Sequence, residues 1–263
     1  MSKAINRYRY YRFVCRLAGC SRSWFSMLGK YVRAPRERMH FVMIPIEKRL
    51  DAPAQQLLPM DVVDALVDRA GGAAVIHQCM CRVGGRCADY PQDIGCLVLG
   101  RAVESLDPRI GRIVGRDEAK AHIKAALSKG LYPLISHYER DAMMFSLDFD
   151  RILIVCFCCP CHCVARNAGK ASEGLSNSFY ENCVKFPSVE VRFDAAKCSG
   201  CGKCASQCFA NAISFDGGGV TFHADKCKGC GHCAYICNAY SVAYDVGNVD
   251  SIIGQLALTG DIS

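Results

Sequence analysis

The chain has 263 residues, of which 51% are hydrophobic, so it can bury a sizeable core in one or two domains. Its 20 cysteines exceed what packing requires, and the chain is too long to be a small disulfide scaffold. The net charge is +7, but residues 1–38 contain ten Lys or Arg and one acidic residue, so the rest of the chain is slightly acidic. These values exclude global disorder, and no apolar run is long enough to predict a membrane span.

Residues 1–40 are predicted to form a basic, partly helical arm. Residues 11–33 fit an amphipathic helix, with Val14, Leu17 and Phe25 near one face. Arginines interrupt every apolar run of the arm, so no signal peptide is predicted and a reducing, cytoplasmic location is expected. The arm is expected to pack on its own domain or to dock an acidic partner protein. Peripheral association with a membrane surface is the alternative, and no nucleic acid is expected.

Residues 41–187 alternate between helix and strand patterns, which predicts a cysteine-rich α/β or α+β domain. Apolar spacing and end signals predict helices over residues 59–72, 91–106 and 116–130. Short apolar runs predict strands over residues 73–81, 131–138 and 151–158, and residues 111–115 are interpreted as a loop.

Two groups of cysteines follow the strands predicted at 73–81 and 151–158. Their members are Cys79, Cys81, Cys87 and Cys96 in the first group, and Cys156, Cys158, Cys159, Cys161 and Cys163 in the second. If the two strands are neighbours, the groups share one metal-binding pocket, beside which Arg82 and Arg86 supply hydrogen-bond donors. One or two further iron–sulfur clusters are the favoured interpretation, with zinc or a redox dithiol as alternatives. Unligated buried cysteine explains one or two of these residues but not nine.

The segment Cys158–His162 also fits the C-x-x-C-H pattern of covalent haem attachment. That attachment is normally made in an oxidising compartment, so the haem interpretation is disfavoured here. His77 and His162 are interpreted as structural rather than metal-ligating. Three isolated cysteines are also interpreted as structural, namely Cys15, Cys20 and Cys183.

Residues 188–247 contain an internal repeat with an offset of 29 residues. The segments KCSGCGKCASQC, from Lys197, and KCKGCGHCAYIC, from Lys226, both have the spacing C-x2-C-x2-C-x3-C. Each half is predicted to be a short strand, a glycine-containing cysteine loop, a short helix and a second strand. A pair of zinc knuckles is the alternative, but zinc sites favour two separated C-x2-C pairs over an unbroken triple.

This region resembles the two-cluster bacterial-type ferredoxins over about residues 188–247. The resemblance implies a ferredoxin-like α+β domain with two [4Fe–4S] clusters. It implies that one cluster is bound by Cys198, Cys201, Cys204 and Cys237, and the other by Cys227, Cys230, Cys233 and Cys208. The chain departs from the family pattern because Phe209 and Asn238, not proline, follow the fourth cysteine of each half. That departure bears on cluster potential and solvent exposure rather than on ligation.

The order of motifs over residues 41–247 resembles a group of poorly characterised 4Fe–4S binding proteins of anaerobic bacteria and archaea. The resemblance implies a shared fold and metal content but no particular reaction. The chain is therefore expected to be an electron-transfer protein, with a tail at 248–263, that serves a larger redox system with flavoprotein or other oxidoreductase partners. The alternatives are an oxidoreductase or activator whose N-terminal cysteine site is catalytic, and a redox or oxygen sensor. No catalytic residue is assigned.

Overall fold

The computed structural model describes residues 6, 9–10, 39–43, 59–163, 183–185 and 189–244. The helix predicted over 11–33, the cysteines Cys15 and Cys20, and the tail at 248–263 lie outside the described residues. Within the described part, no helix is both long enough and apolar enough to cross a membrane.

The N-terminal part is built on a seven-stranded sheet whose order is β4-β2-β3-β6-β5-β1-β7. The strands are β1 Met39–Met43, β2 Ala73–Ile76, β3 Leu97–Leu99, β4 Gly111–Val114, β5 Tyr132–Tyr138, β6 Leu153–Cys158 and β7 Cys183–Lys185. Every neighbouring pair is antiparallel except β1 and β7, which are parallel. The mixture of helix and sheet agrees with the prediction, and the antiparallel order corresponds to its α+β alternative.

Within the described residues, four α-helices accompany this sheet, namely α1 Pro59–Arg69, α2 Met80–Gly84, α3 Arg116–Ser128 and α4 Glu139–Phe145. The apolar face predicted for α1 is buried, with Val63 and Leu66 fully inaccessible to solvent. The predicted end of α3 is also confirmed, because Gly130 has φ of 72° and the Leu131 N–H donates to the Ala126 carbonyl oxygen at 3.2 Å. This is the Schellman arrangement that a glycine after a helix favours.

The central strands are apolar on both faces of the sheet. Leu97 and Leu99 of β3 pack in one core with α1 and α3, whereas Val98 between them packs in a second core with Phe145 of α4. Successive side chains of a strand point to opposite faces, so a strand covered on both sides needs an uninterrupted apolar run. This explains the run Leu153–Val155 in β6, all of which is buried.

The helix predicted over residues 91–106 is wrong. The segment contains β3, between β2 and β6, followed by a 3₁₀ turn at Arg101–Ser105. Sheet burial of three consecutive apolar residues outweighs the local helical pattern, and Gly100, with φ of 112°, ends the strand. The loop predicted at 111–115 is also wrong, because β4 occupies Gly111–Val114 and pairs with β2.

Replacing Gly95 by alanine is expected to lower the free energy of unfolding by about 1–3 kcal/mol through overpacking. A Cβ on Gly95 would lie 1.9 Å from the carbonyl oxygen of Ile76, an atom of the neighbouring backbone that cannot rotate away. Anaerobic urea unfolding measures the loss. Gly219→Ala is the matched control, since its Cβ meets nothing within 4 Å, and an equal loss in both variants would contradict the steric explanation.

The C-terminal part repeats one unit twice. The first half contains β8 Val189–Phe193, α5 Lys203–Gln207 and β9 Ile213–Phe215, and the second contains β10 Val220–Phe222, α6 His232–Ile236 and β11 Tyr240–Tyr244. The outer strands β8 and β11 pair antiparallel, as do the inner strands β9 and β10. The predicted order of strand, cysteine loop, short helix and strand is confirmed in both halves.

Candidate metal centres

Both cysteine loops of the C-terminal part turn at glycines in the left-handed region of backbone conformation. Gly200 and Gly202 have φ of 67° and 66°, and their repeat equivalents Gly229 and Gly231 have φ of 71° and 70°. A side chain with a Cβ disfavours this region, so glycine lets each loop curl around its own sulfurs. Each half therefore presents its first two cysteines on one tight loop and its third in the first turn of the helix that follows.

Four of the cysteine sulfurs in these loops accept hydrogen bonds from backbone N–H groups. The pairs, donor first, are Gly200–Cys198, Gly229–Cys227, Ala212–Cys208 and Ala239–Cys237, with nitrogen–sulfur distances of 3.4, 3.4, 3.3 and 3.5 Å. Such donors favour the charged thiolate over the neutral thiol. The loops are thus suited to thiolate ligation of a metal centre.

The fourth cysteine of the first half, Cys208, lies beside the cysteine loop of the second half. Burial raises the pKa of the Cys227 thiol, and the nearby Cys208 raises it further. Burial likewise raises the pKa of Cys233, to which Cys208 also contributes. The contact is direct at the preceding residues, because Gln207 Oε1 and His232 Nε2 form a hydrogen bond at 2.6 Å, so Cys208 lies near Cys233 of the second loop.

One sulfur of the first loop accepts a hydrogen bond from a buried tyrosine. The Tyr240 hydroxyl donates to Cys204 Sγ at 3.6 Å, and Tyr240 is 3% exposed. Burial and this contact raise the pKa of Tyr240, so the hydroxyl keeps its proton and remains a donor. The repeat equivalent of Tyr240 is Asn211, so the sequence places no hydroxyl at the corresponding position of the other half.

The second cysteine loop is covered by the N-terminal part, whereas the first is more open. Cys201 is exposed, but its repeat equivalent Cys230 is half-buried. The ring of His232, beside Cys233, lies 6.1 Å from the ring of Tyr132 in β5. The side chain of Lys185 in β7 also approaches this loop, because a Cβ on Gly229 would lie 2.9 Å from Lys185 Cγ.

Comparison with known proteins agrees with this geometry. Residues 197–240 match a family described as a 4Fe-4S dicluster domain. The chain carries an iron–sulfur domain. No curated protein and no solved structure matches the chain. The match spans both cysteine loops and leaves the N-terminal part to be interpreted from its own residues.

The cysteines of the two N-terminal groups meet at one edge of the sheet, here called the cysteine edge. It comprises Cys79, Cys81, Cys87, Cys96, Cys156, Cys158, Cys159, Cys161 and Cys163. The edge forms because the end of β2, the start of β3 and the end of β6 lie side by side, with Val75 opposite Leu97 and Leu97 opposite Val155. The two strands are not neighbours, because β3 separates them, but the two groups are in contact through the pairs Cys87–Cys161 and Cys96–Cys156.

Sulfur atoms at the cysteine edge lie close to one another. The pairs are Cys158–Cys163 at 2.9 Å, Cys87–Cys161 at 3.5 Å and Cys96–Cys156 at 3.6 Å. The contact with Cys163, followed by burial, raises the pKa of the Cys158 thiol well above its ordinary value. A raised pKa means that these clustered thiols stay protonated unless a nearby cation stabilises the thiolate form. A bound metal ion is the usual cation that does so.

Arg82 lies inside the cysteine edge with no exposed surface. Its guanidinium donates to three backbone carbonyl oxygens, those of Phe157 at 2.6 Å, Pro91 at 2.7 Å and Ile94. Burial alone lowers the pKa of Arg82, but neighbouring cysteines, above all Cys79 and Cys159, raise it overall. The predicted role of Arg82 beside the cysteines agrees with this position, whereas Arg86 is exposed.

His162 joins three cysteines in a compact quartet, although sequence patterns favoured a structural role for it. The ligand atoms of Cys87, Cys159, Cys161 and His162 all lie within 4.8 Å of one another. The Nδ1 atom of His162 is buried and makes no hydrogen bond within the described structure. The two cysteines of the C-x-x-C-H pattern contact different partners, because Cys158 contacts Cys163 whereas Cys161 contacts Cys87.

Two of the other residues predicted to be structural, His77 and Cys183, lie within the described residues. His77 makes a hydrogen bond with the Pro108 carbonyl oxygen at 3.0 Å. Cys183 is buried in β7, and that burial raises its pKa to about 12. A neutral, buried thiol of this kind packs as a small apolar side chain.

Proposed function

We propose that the chain is an electron-transfer protein that binds two [4Fe–4S] clusters in its C-terminal domain. The proposed ligands are Cys198, Cys201, Cys204 and Cys237 for the first cluster, and Cys227, Cys230, Cys233 and Cys208 for the second. The observation that carries the proposal is the position of Cys208, which belongs to the first repeat but lies near the loop of the second, because Gln207 forms a hydrogen bond with His232 at 2.6 Å. This exchange of the fourth cysteine is the arrangement that two clusters in one duplicated unit require.

Each cluster, when bound, would store and release single electrons. The chain's own residues do the remaining work. Backbone N–H groups from Gly200 and Gly229 stabilise charge on the ligating sulfurs, and burial of Cys204 and partial burial of Cys233 shield them from water. The hydroxyl of Tyr240 adds a further donor at Cys204. Such contacts and solvent exposure are the protein's means of setting a cluster potential.

The contacts between the two parts of the chain support transfer toward the N-terminal part. His232, between Cys230 and Cys233 of the second cysteine loop, packs against Tyr132, and Tyr132 lies opposite Cys158 in the pairing of β5 with β6. The second loop is therefore connected, through two buried rings, to the cysteine edge. We propose that the cysteine edge holds additional metal, and that the exposed first loop receives electrons from a partner protein.

The partner is proposed to be a flavoprotein or another oxidoreductase subunit in the cytoplasm. An acidic surface near its cofactor would attract the basic arm at residues 1–40. Binding of the arm to anionic vesicles in place of a protein partner would instead support peripheral membrane association.

Iron and acid-labile sulfide, measured on protein purified without oxygen, test the proposal together with the spectrum of the reduced protein. We expect about eight irons and eight sulfides in the C-terminal domain, and paramagnetic signals of two interacting clusters after reduction by dithionite. Zinc in place of iron at the eight C-terminal cysteines would overturn the proposal. A spectral change on adding a substrate would favour the alternative of a catalytic site.

Replacing Tyr240 by phenylalanine is expected to shift the potential of one cluster to a more negative value by on the order of 40 mV, because one hydrogen bond contributes about 1 kcal/mol. The bond to Cys204 stabilises the more negative, reduced cluster, and phenylalanine keeps the ring while removing the donor. Redox titration followed by paramagnetic resonance measures the shift. Asn211→Ala, at the repeat equivalent, is the control, and equal shifts of both clusters in Tyr240→Phe would contradict the expectation.

A further inference from the structure

We propose that Cys87, Cys159, Cys161 and His162 bind a single zinc ion in a tetrahedral site distinct from the iron–sulfur clusters. Their four ligand atoms lie within 4.8 Å of one another, and the sulfurs of Cys87 and Cys161 are 3.5 Å apart. The proposal stands on these residues alone and does not depend on the electron-transfer function.

The spacing of the sulfurs distinguishes one ion from a cubane. Zinc binds sulfur at about 2.3 Å in a tetrahedral arrangement, which places two ligating sulfurs about 3.8 Å apart. In a [4Fe–4S] cluster each cysteine binds a different iron, so the cysteine sulfurs lie much further apart. The described residues include all eight C-terminal cysteines. Among these described residues, the quartet is the only group of three or more metal-ligating side chains whose ligand atoms all lie within 4.8 Å of one another.

His162 supplies the ligand type that favours zinc. Its Nδ1 is buried without a hydrogen-bond partner in the described structure, which is costly unless a ligand occupies that direction. The ring reaches the quartet because residue 85 is glycine, since a Cβ there would lie 2.3 Å from His162 Cδ2. Three cysteines and one histidine are a common structural zinc set, whereas [4Fe–4S] clusters take cysteine at all four irons in most proteins.

The charge of the surroundings also fits one divalent ion. Three thiolates, a neutral imidazole and Zn²⁺ carry a net charge of about −1. The buried guanidinium of Arg82 offsets that charge, and it lies close to the quartet because it donates to the carbonyl oxygen of Phe157, two residues before Cys159. The backbone N–H of His162 also donates to Cys159 Sγ at 3.2 Å. A buried site of zero net charge avoids the cost of an uncompensated ion.

The quartet is closed, because four protein ligands leave no position for a substrate. The zinc is therefore structural and joins the loop after α2 to the segment after β6. The other six cysteines of the edge, among them the close pair Cys158–Cys163, remain outside the zinc site.

Metal content of the full chain, purified without oxygen, tests the site. We expect about one zinc per chain in addition to iron, and a complete loss of zinc with unchanged iron in Cys87→Ser and in His162→Ala. Cys201→Ser is the matched control, because Cys201 is a cysteine of the exposed cluster loop and its replacement is expected to remove iron while zinc stays. Co²⁺ in place of zinc is expected to show the visible absorption of a tetrahedral thiolate site.

The opposite pattern would overturn the proposal. Absence of zinc together with loss of iron in Cys87→Ser would assign the quartet to an iron–sulfur cluster. The proposal also fails if neither Cys87→Ser nor His162→Ala changes the metal content of the protein. The quartet would then be a cluster of side chains that binds no metal. Should a variant fail to fold, X-ray absorption at the zinc edge of the unmodified protein decides, since the proposal requires three sulfurs and one nitrogen around zinc.

Discussion

Replacing Arg82 by methionine is expected to lower the free energy of unfolding by about 3–5 kcal/mol, as breaking a buried charged network does. Methionine fills much of the same volume but leaves the carbonyl oxygens of Pro91, Ile94 and Phe157 buried without their donor. It also removes the positive charge beside Cys159. Anaerobic urea unfolding measures the loss, and metal analysis is expected to show release of metal from the cysteine edge while the C-terminal iron stays.

Arg82→Lys separates the charge from the hydrogen bonds. Lysine keeps the positive charge, but one ammonium group lacks the planar fork that serves three carbonyl groups at once, so most of the loss is expected to remain. Arg86→Met is the matched control, because Arg86 lies two residues after the helix that contains Arg82 but is exposed. A loss in Arg86→Met as large as that in Arg82→Met would contradict the assigned role of the buried guanidinium.

Replacing Cys208 by alanine is expected to remove one of the two proposed clusters, so that iron in the C-terminal domain falls from about eight to about four per chain. Cys237→Ala is expected to remove the other cluster. Iron analysis and paramagnetic resonance measure both losses. Cys183→Ala is the control, because Cys183 is a buried cysteine close to Cys230 but outside both proposed ligand sets.

The hydroxyl of Tyr240 identifies which cluster remains in each variant. Tyr240 contacts Cys204, whose proposed fourth partner is Cys237. In Cys208→Ala the remaining cluster is therefore expected to shift in potential when Tyr240 is also replaced by phenylalanine, and in Cys237→Ala it is not. If each half binds a cluster with its own four cysteines, the two results are exchanged.

The C-terminal domain could be predicted from the sequence because its signals are local and occur twice. The four cysteines and the two glycines of each loop recur at one offset, and the glycine positions show the left-handed φ that such a loop needs. The asymmetry between the halves was harder to predict. Burial of the second loop depends on Tyr132 and Lys185, which are distant in sequence.

The N-terminal part was only partly predictable, because its order is set by long-range pairing. Residues 97–99 are three apolar residues that suit a helix or a strand, and only burial between β2 and β6 makes them a strand. The position of His162 beside Cys87 could not be predicted for a related reason. The C-x-x-C-H pattern that contains His162 relates only residues close in sequence, whereas Cys87 belongs to the other cysteine group. The one available signal was Gly85, whose small size matters only once the two groups are known to meet.

The contact between Cys87 and Cys161 joins residues that are 74 positions apart in the chain. A zinc ion that binds both sulfurs acts as a cross-link, because it forbids the extended conformations in which the two ends of that segment separate. The chain-entropy relation for a closed loop of this length gives a contribution of about 4.5 kcal/mol to stability. The closed loop contains β3, β4, β5 and β6, of which β3, β6 and β5 are adjacent in the middle of the sheet and β4 lies at its edge. Removal of the ion is therefore expected to let these strands unfold first, while the C-terminal domain keeps its proposed clusters.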